Sequence, residues 1–199
     1  MKKDLSWLRT LPGSPLIVAE IKLRSPYGWV SPISIEEQFE IALQWADILS
    51  VHTNPLWGGS FQALTGARAN AIRGSKRILI LAKGFHDTVA DVQQALDFGA
   101  DYVLTVGWDG GPLSSHCWQE VESTAQLRQA QYDQWIVCNA RNPRTGEKRG
   151  QTLEERTISE ASLARGYFGG PICQASMING PEDVDEAADA ILVGQRLYS

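Results

Sequence analysis

Residues 15–32, PLIVAEIKLRSPYGWVSP, decide how the rest of the chain is read. The apolar run Leu16-Ile17-Val18-Ala19 has the length and composition of a buried strand. Strand alternation then puts Glu20 and Lys22 on one face and Ile21 on the other. A carboxylate and an ammonium at the end of a buried strand are costly unless they pair or are put to use. Spacing alone leaves both possibilities open. A Ser-Pro step and an aromatic, glycine-containing loop follow.

Outward from that strand, strand and helix signals alternate. Residues 35–46 carry Ile35, Phe39, Ala42, Leu43 and Ala46 at helical spacing, and Ser34 with Glu37 forms a capping-box pattern. The apolar run 48–51 ends in His52-Thr53-Asn54-Pro55, and a helical stretch follows from Phe61 to Ile72. A third strand is predicted over 77–82, ending at Lys83-Gly84-Phe85-His86. Asp87 is expected to cap the next helix, which Gly99 closes. The fourth strand is residues 102–106. Helix is then predicted over 116–130, strand over 135–138, helix over 153–165, strand over 171–175, a short helix from Pro181 and a last strand over 190–193.

Repeated β-then-α units imply parallel strands, because parallel neighbours need a crossover. Polar residues follow nearly every strand: Lys22, Thr53, Lys83, Asp109, Asn139, Arg141, Gln174 and Gln195. That even spread suits a ring at one end of a TIM-type (β/α) barrel better than an open sheet, whose polar residues gather at a switch point. No GxGxxG motif follows the first strand.

Bulk properties narrow the partners. The chain has 199 residues, 43% hydrophobic and 21% charged, which fits one folded barrel domain, 1–199. Net charge is -5 with no basic run, which argues against nucleic acid or an anionic membrane as partner. No apolar stretch reaches membrane-spanning length, and the N-terminus lacks the apolar region of a signal peptide. Cys117, Cys138 and Cys173 are scattered, as expected of reduced thiols in a cytoplasmic protein; His52, His86 and His116 form no zinc pattern, and no metal site is expected.

At this point AEIKLRSPYG (19–28) resembles the first-strand signature of indole-3-glycerol phosphate synthase, a tryptophan-pathway (β/α)8 barrel. The resemblance continues in register through LSVHTNPLWGGSFQAL (49–64), ILILAKGFHDTVADVQQALDFGADYVL (78–104), NARNPRTGE (139–147) and AILVGQRL (190–197). That family closes an indole ring on a carboxyphenylamino-deoxyribulose phosphate, losing carbon dioxide and water, and uses no cofactor. The resemblance implies Lys83 as general acid, with its pKa depressed by burial and by Lys22. It implies Lys22 as a contact to substrate carboxylate and phosphate, and Glu20 as the carboxylate holding the lysines and the substrate nitrogen. Ser25 matches a phosphate-side residue, Phe85 an aromatic wall, and Asn139 with Arg141 the sixth-strand pair. Ser176, Gly194 and Gln195 fall in the seventh- and eighth-strand ends. Trp57 and Trp108, in loops on the same side, are candidates to stack on an aromatic substrate.

The chain departs from the family in several places. Only seven strand-like runs are evident, the missing unit lying between Val106 and Trp135. The family's fifth strand carries the glutamate that acts as base in dehydration; Glu120 and Glu122 fall in a predicted helix and are poor candidates. Only about fifteen residues precede the first strand, where the family has a long extension. Gly84 stands where the family has aspartate, and Gln174-Ala175-Ser176-Met177 replaces Glu-Ser-Gly-Ile, with loss of a glycine suited to cradling phosphate. A seven-stranded barrel would have an open edge, which residues 109–134 or a second subunit would cover. The expectation is a diverged carbon–carbon lyase or cyclase acting on an anionic, aromatic small molecule, such as an anthranilate- or amine-derived sugar phosphate. The alternatives are the standard synthase and a non-catalytic binding barrel.

Overall fold

A computed structural model describes residues 4–25, 27–73 and 78–198, with the side chains of residues 72 and 73 left aside. Pro26 and Arg77, parts of the predicted first loop and third strand, lie outside them. Eight strands form a closed parallel barrel in chain order: β1 Leu16–Ile21, β2 Ile48–His52, β3 Leu79–Lys83, β4 Tyr102–Val106, β5 Cys117–Glu120, β6 Trp135–Asn139, β7 Ile172–Ala175 and β8 Ala190–Val193. β8 pairs with β1 through Leu16–Ala190 to Ala19–Val193 and closes the ring. This is the TIM-barrel architecture.

Two expectations are corrected here. The barrel has eight strands, not seven, and β5 occupies part of the stretch read as one helix over 116–130. That stretch is a 3-10 turn over Gly111–His116, then β5, then α4 over Thr124–Gln129. The link from β4 to β5, residues 107–116, contains no α-helix and is shorter than an ordinary crossover. The barrel therefore has no open edge, and residues 109–134 contribute a strand instead of covering a gap.

The crossover helices are long in the first half: α1 Ile35–Trp45, α2 Phe61–Arg73 and α3 Val89–Asp97. Later ones are short. α5 Leu153–Thr157 and α6 Ala161–Ala164 split the predicted helix over 153–165, a 3-10 turn Pro181–Asp183 links β7 to β8, and α7 Gln195–Tyr198 ends the described chain. Among the described residues no helix is long and apolar enough to cross a membrane.

Local signals account for the helix starts. Ser34 and Glu37 form the capping box of α1: Ser34 Oγ accepts from Glu37 N at 3.2 Å, and Glu37 Oε2 accepts from Ser34 N at 2.9 Å. For α3 the cap is Thr88 with Asp91, not Asp87, which instead pairs with Arg144 at 3.2 Å.

Alternation sorts the strand side chains into two sets. Ile17, Ala19, Ile21, Leu49, Val51, Ile80, Ala82 and Val103 face outward and pack against the helices. Val18, Leu81, Leu104, Trp118, Val137, Cys173 and Leu192 face inward. At the N-terminal end of the barrel, Trp118 stacks on Trp135 with centroids 4.4 Å apart, and Tyr102 lies 6.1 Å from Trp118. The same end is tied by three aspartates: Asp47 Oδ2 accepts from Ile17 N, Asp101 Oδ2 from Ile80 N and Asp189 Oδ2 from Ile172 N, at 2.8–3.0 Å. Each follows an alanine and directly precedes a strand, and each caps the strand before it.

Candidate active site

The inward positions at the C-terminal ends of the strands are polar. Glu20, at the end of β1, is 2% exposed. Its Oε2 lies 2.6 Å from Lys22 Nζ and its Oε1 lies 2.7 Å from Lys83 Nζ, so one carboxylate bridges two ammonium groups. Burial alone would raise the Glu20 pKa, but Lys22 and Lys83 outweigh it and hold the carboxyl well below its ordinary value. Burial likewise opposes charge on Lys83, yet Glu20 outweighs it and the Lys83 pKa is raised. The expected depression of Lys83 is thereby reversed, because its nearest charged group is a carboxylate and not Lys22. The ammonium form, which a general acid needs, is the favoured one.

The supports of this triad come from several elements. Gln38 of α1 is fully buried; its Oε1 accepts from Lys22 N at 3.0 Å, and its Nε2 donates to Lys22 O at 2.9 Å. Tyr198 Oη donates to Glu20 O at 2.8 Å. Gly194 leaves room for the carboxylate, since a Cβ there would clash with Glu20 Oε2. Beneath Lys83, its carbonyl accepts from Thr53 N at 2.7 Å. The His86 Nδ1 is 2.9 Å from Leu104 O, which can only accept, so Nδ1 carries the proton and Nε2 accepts from Thr53 Oγ1 at 3.1 Å.

Glu120 faces this group from β5. It is fully buried; Oε1 accepts from Asn139 Nδ2 at 3.0 Å, while Oε2 is buried with no partner among the described residues. Burial pushes its pKa up to about 7, against the lowering influence of Lys83, Arg149 and the Asn139 hydrogen bond. A carboxyl that titrates near neutrality, in one pocket with an ammonium held charged, is suited to proton transfer in both directions. Asn139 Oδ1 accepts from Arg141 N at 3.0 Å, and the Arg141 guanidinium lies over the Tyr27 ring at 4.6 Å. Opposite it, Arg144 lies over Phe85 at 4.8 Å.

Most residues singled out from the sequence line one mouth. Glu20, Lys22, Lys83, Asn139, Arg141, Phe85, Trp57 and Ser176 line its centre, together with Tyr27, His52 and Glu120. Gly194, Gln195, Lys148 and Arg196 line an adjoining lobe, which also touches Lys22 and Arg141. Ser176 and Met177 carry φ of 68° and 58°, a left-handed backbone that costs on the order of 1 kcal/mol for each side chain bearing a Cβ.

Ser25 and Trp108 are not brought to the mouth. Ser25 Oγ accepts from Trp29 N at 3.2 Å within its own loop, and Trp108 Nε1 donates to His86 O at 2.9 Å while its ring packs on the outer core. Thr53, Asp109 and Gln174 also turn to local partners. Conversely, the sequence reading did not assign Glu120 or Tyr27 to the site and gave His52 little weight. For Glu120 a signal existed: the pair Trp118 and Glu120 has inward strand spacing, hidden by a linker without a helix. Among the described residues no group of three or more His, Cys, Asp or Glu side chains is placed to hold a metal ion.

No protein-family model matches the chain, and no curated protein sequence does either. Solved structures similar to it include 3-hexulose-6-phosphate synthase, at 15% identity and a TM-score of 0.59 over 90% of this chain and 89% of that one. Another is the citrate synthase SbnG, at 13% identity and a TM-score of 0.59 over 90% and 86%. At such identities the likeness is one of fold.

Proposed function

We propose that the chain is an enzyme resembling indole-3-glycerol phosphate synthase, a carbon–carbon lyase and cyclase acting on an anthranilate- or amine-derived sugar phosphate. The observation that carries this reading is the opposition, in one mouth, of Lys83 paired with Glu20 and Glu120 with its pKa near 7. In the first step the aromatic carbon bearing the carboxyl attacks the substrate ketone, and Lys83 gives its proton to the ketone oxygen. The carboxyl leaves as carbon dioxide, and its bonding pair returns to the ring. In the second step Glu120 takes a proton from the methylene carbon beside the nitrogen, and the new hydroxyl leaves as water with a proton from the lysine pair. The cations Lys22, Arg141, Lys148 and Arg196 suit the carboxylate and the phosphate.

One observation favours the standard substrate as a second reading: Glu120 lies on β5, the strand where that family keeps its base. Incubation with the carboxyphenylamino-deoxyribulose phosphate, followed by indole absorbance and carbon dioxide release, separates the two. Turnover supports the standard substrate, and its absence beside an active control synthase limits the proposal to related amines. Lys83→Ala is expected to lower kcat about 10²–10⁴-fold with the fold intact, since Lys22 still pairs with Glu20. Retained activity in that variant removes Lys83 as the acid.

A further inference from the structure

His52 is the inward-facing residue at the end of β2 and is in register with Lys83 on β3, so the two side chains leave neighbouring strands at the same level. Neighbouring strands lie about 5 Å apart, so a small ligand touching the Lys83 ammonium also reaches the imidazole. The ring lines the mouth and is 9% exposed, and its Nδ1 is buried without a partner among the described residues. A buried polar atom left unpaired is costly, and its persistence at a site points to a group that arrives from outside.

The hydrogen-bonding inventory of the mouth says which group. Lys22, Lys83 and Arg141 only donate; they serve carbonyl, carboxylate and phosphate oxygens. A substrate hydroxyl also needs an acceptor. Among the buried side chains here, both Glu20 oxygens are engaged by lysines, and the Asn139 carbonyl is engaged by Arg141 N. What remains is the unpaired Oε2 of Glu120 and the imidazole of His52. The unprotonated nitrogen of a neutral imidazole accepts from a hydroxyl, which the cations of the mouth cannot do. Burial, with Lys83 and Lys22 nearby, outweighs Glu20 and pulls the His52 pKa down to about 3, so the ring is neutral at any working pH.

We propose that His52 is a specificity-determining residue that binds the substrate hydroxyl adjacent to the carbonyl that Lys83 protonates. The inference rests on the mouth being the substrate site, and it adds a contact that the lysine–glutamate chemistry does not require.

The test uses 1-deoxy-D-ribulose 5-phosphate, which has the ketone, a hydroxyl beside it at C3 and the phosphate but no amine to cyclise, and its 3-deoxy counterpart, which has no hydroxyl beside the ketone. Dissociation constants are measured by calorimetry for the full chain, His52→Leu and His52→Gln. The expected result is that the parent prefers the hydroxylated ligand about tenfold, the scale of one neutral hydrogen bond in a dry site. His52→Leu loses the preference, and His52→Gln, whose amide both donates and accepts, keeps most of it. On binding, the imidazole ¹⁵N shifts of His52 move and those of His86 do not. Equal weakening of both ligands in His52→Leu would mean a packing role and overturns the proposal; so does a parent without preference, or one that binds neither ligand. Binding with the preference but no turnover of the carboxyphenylamino compound removes the standard substrate and leaves His52 in place. Turnover without any preference breaks the His52 assignment alone.

Discussion

The two ends of the barrel interior are built by the same strands with the same alternation, yet they hold opposite chemistry. β5 shows it in three residues: Trp118 points inward at the N-terminal end, and Glu120, two positions on, points inward at the C-terminal end. The lower end is filled by the Trp118–Trp135 stack and Tyr102, and sealed by three aspartates on strand N–H groups. The upper end holds Glu20, Lys22, His52, Lys83, Glu120 and Asn139 around a space. At the lower end the apolar faces of the rings pack on one another, and Trp118 Nε1 is left without a partner among the described residues. At the upper end the unpartnered atoms belong to titratable side chains, Glu120 Oε2 and His52 Nδ1. Apolar packing is thus concentrated below, and charged groups poised for a ligand are concentrated above.

If this division is right, a substitution below should cost stability alone, whereas substitutions above should alter turnover and can change stability in either direction. The largest effect is expected for Glu20→Ala, which leaves two ammonium groups in the interior without their shared carboxylate. A loss of about 3–5 kcal/mol in chemical denaturation is expected; a loss below about 1 kcal/mol would mean that the upper end is solvated like a surface. Next comes Trp118→Leu, which opens a void beside Trp135 and should cost about 2 kcal/mol while changing turnover by no more than a few-fold. A collapse of turnover in a folded Trp118→Leu protein would erase the distinction between the ends.

The effect of opposite sign, which vanishes near pH 4, belongs to Glu120→Gln. The Glu120 carboxyl titrates at about 7 when folded, against an ordinary 4.5. Between those values the folded chain holds a proton that the unfolded chain has released, so this group's contribution falls as pH rises and levels off above 7. An amide of the same shape cannot ionise. The variant should match the parent near pH 4 and exceed it at pH 8 by up to about 3 kcal/mol, while losing the proposed dehydration step. A stability difference that stays flat from pH 4 to 8 would show that Glu120 does not titrate there.

Much of the first half of the molecule was legible, because its strands are separated by helices long enough to show a 3.6-residue period. The Glu20–Lys22 alternation followed from the apolar run of β1, and Lys83 entered through the resemblance. The second half was harder for a physical reason. β5 is four residues long and buried on both faces, so its pattern reads neither as alternation nor as a helix face. Its linker turns without a helix, and the eye joins β5 to α4. The same error hid Glu120 and suggested an open edge. Ser25 and Trp108 were misplaced because their neighbours in the fold, Trp29 and the His86 carbonyl, claim their polar atoms. One repeated signal went unused: Ala46-Asp47, Ala100-Asp101 and Ala188-Asp189 each mark a strand start, and all three aspartates do the same work.

The glycine after Lys83 restricts what position 84 can carry. A Cβ there would clash with the Thr53 hydroxyl and press on the His86 ring, the two groups that hold the backbone under the lysine. Any larger residue at 84 therefore needs Thr53 to give way first, and substitutions at 53 and 84 are expected to be non-additive, each tolerated better in the company of the other.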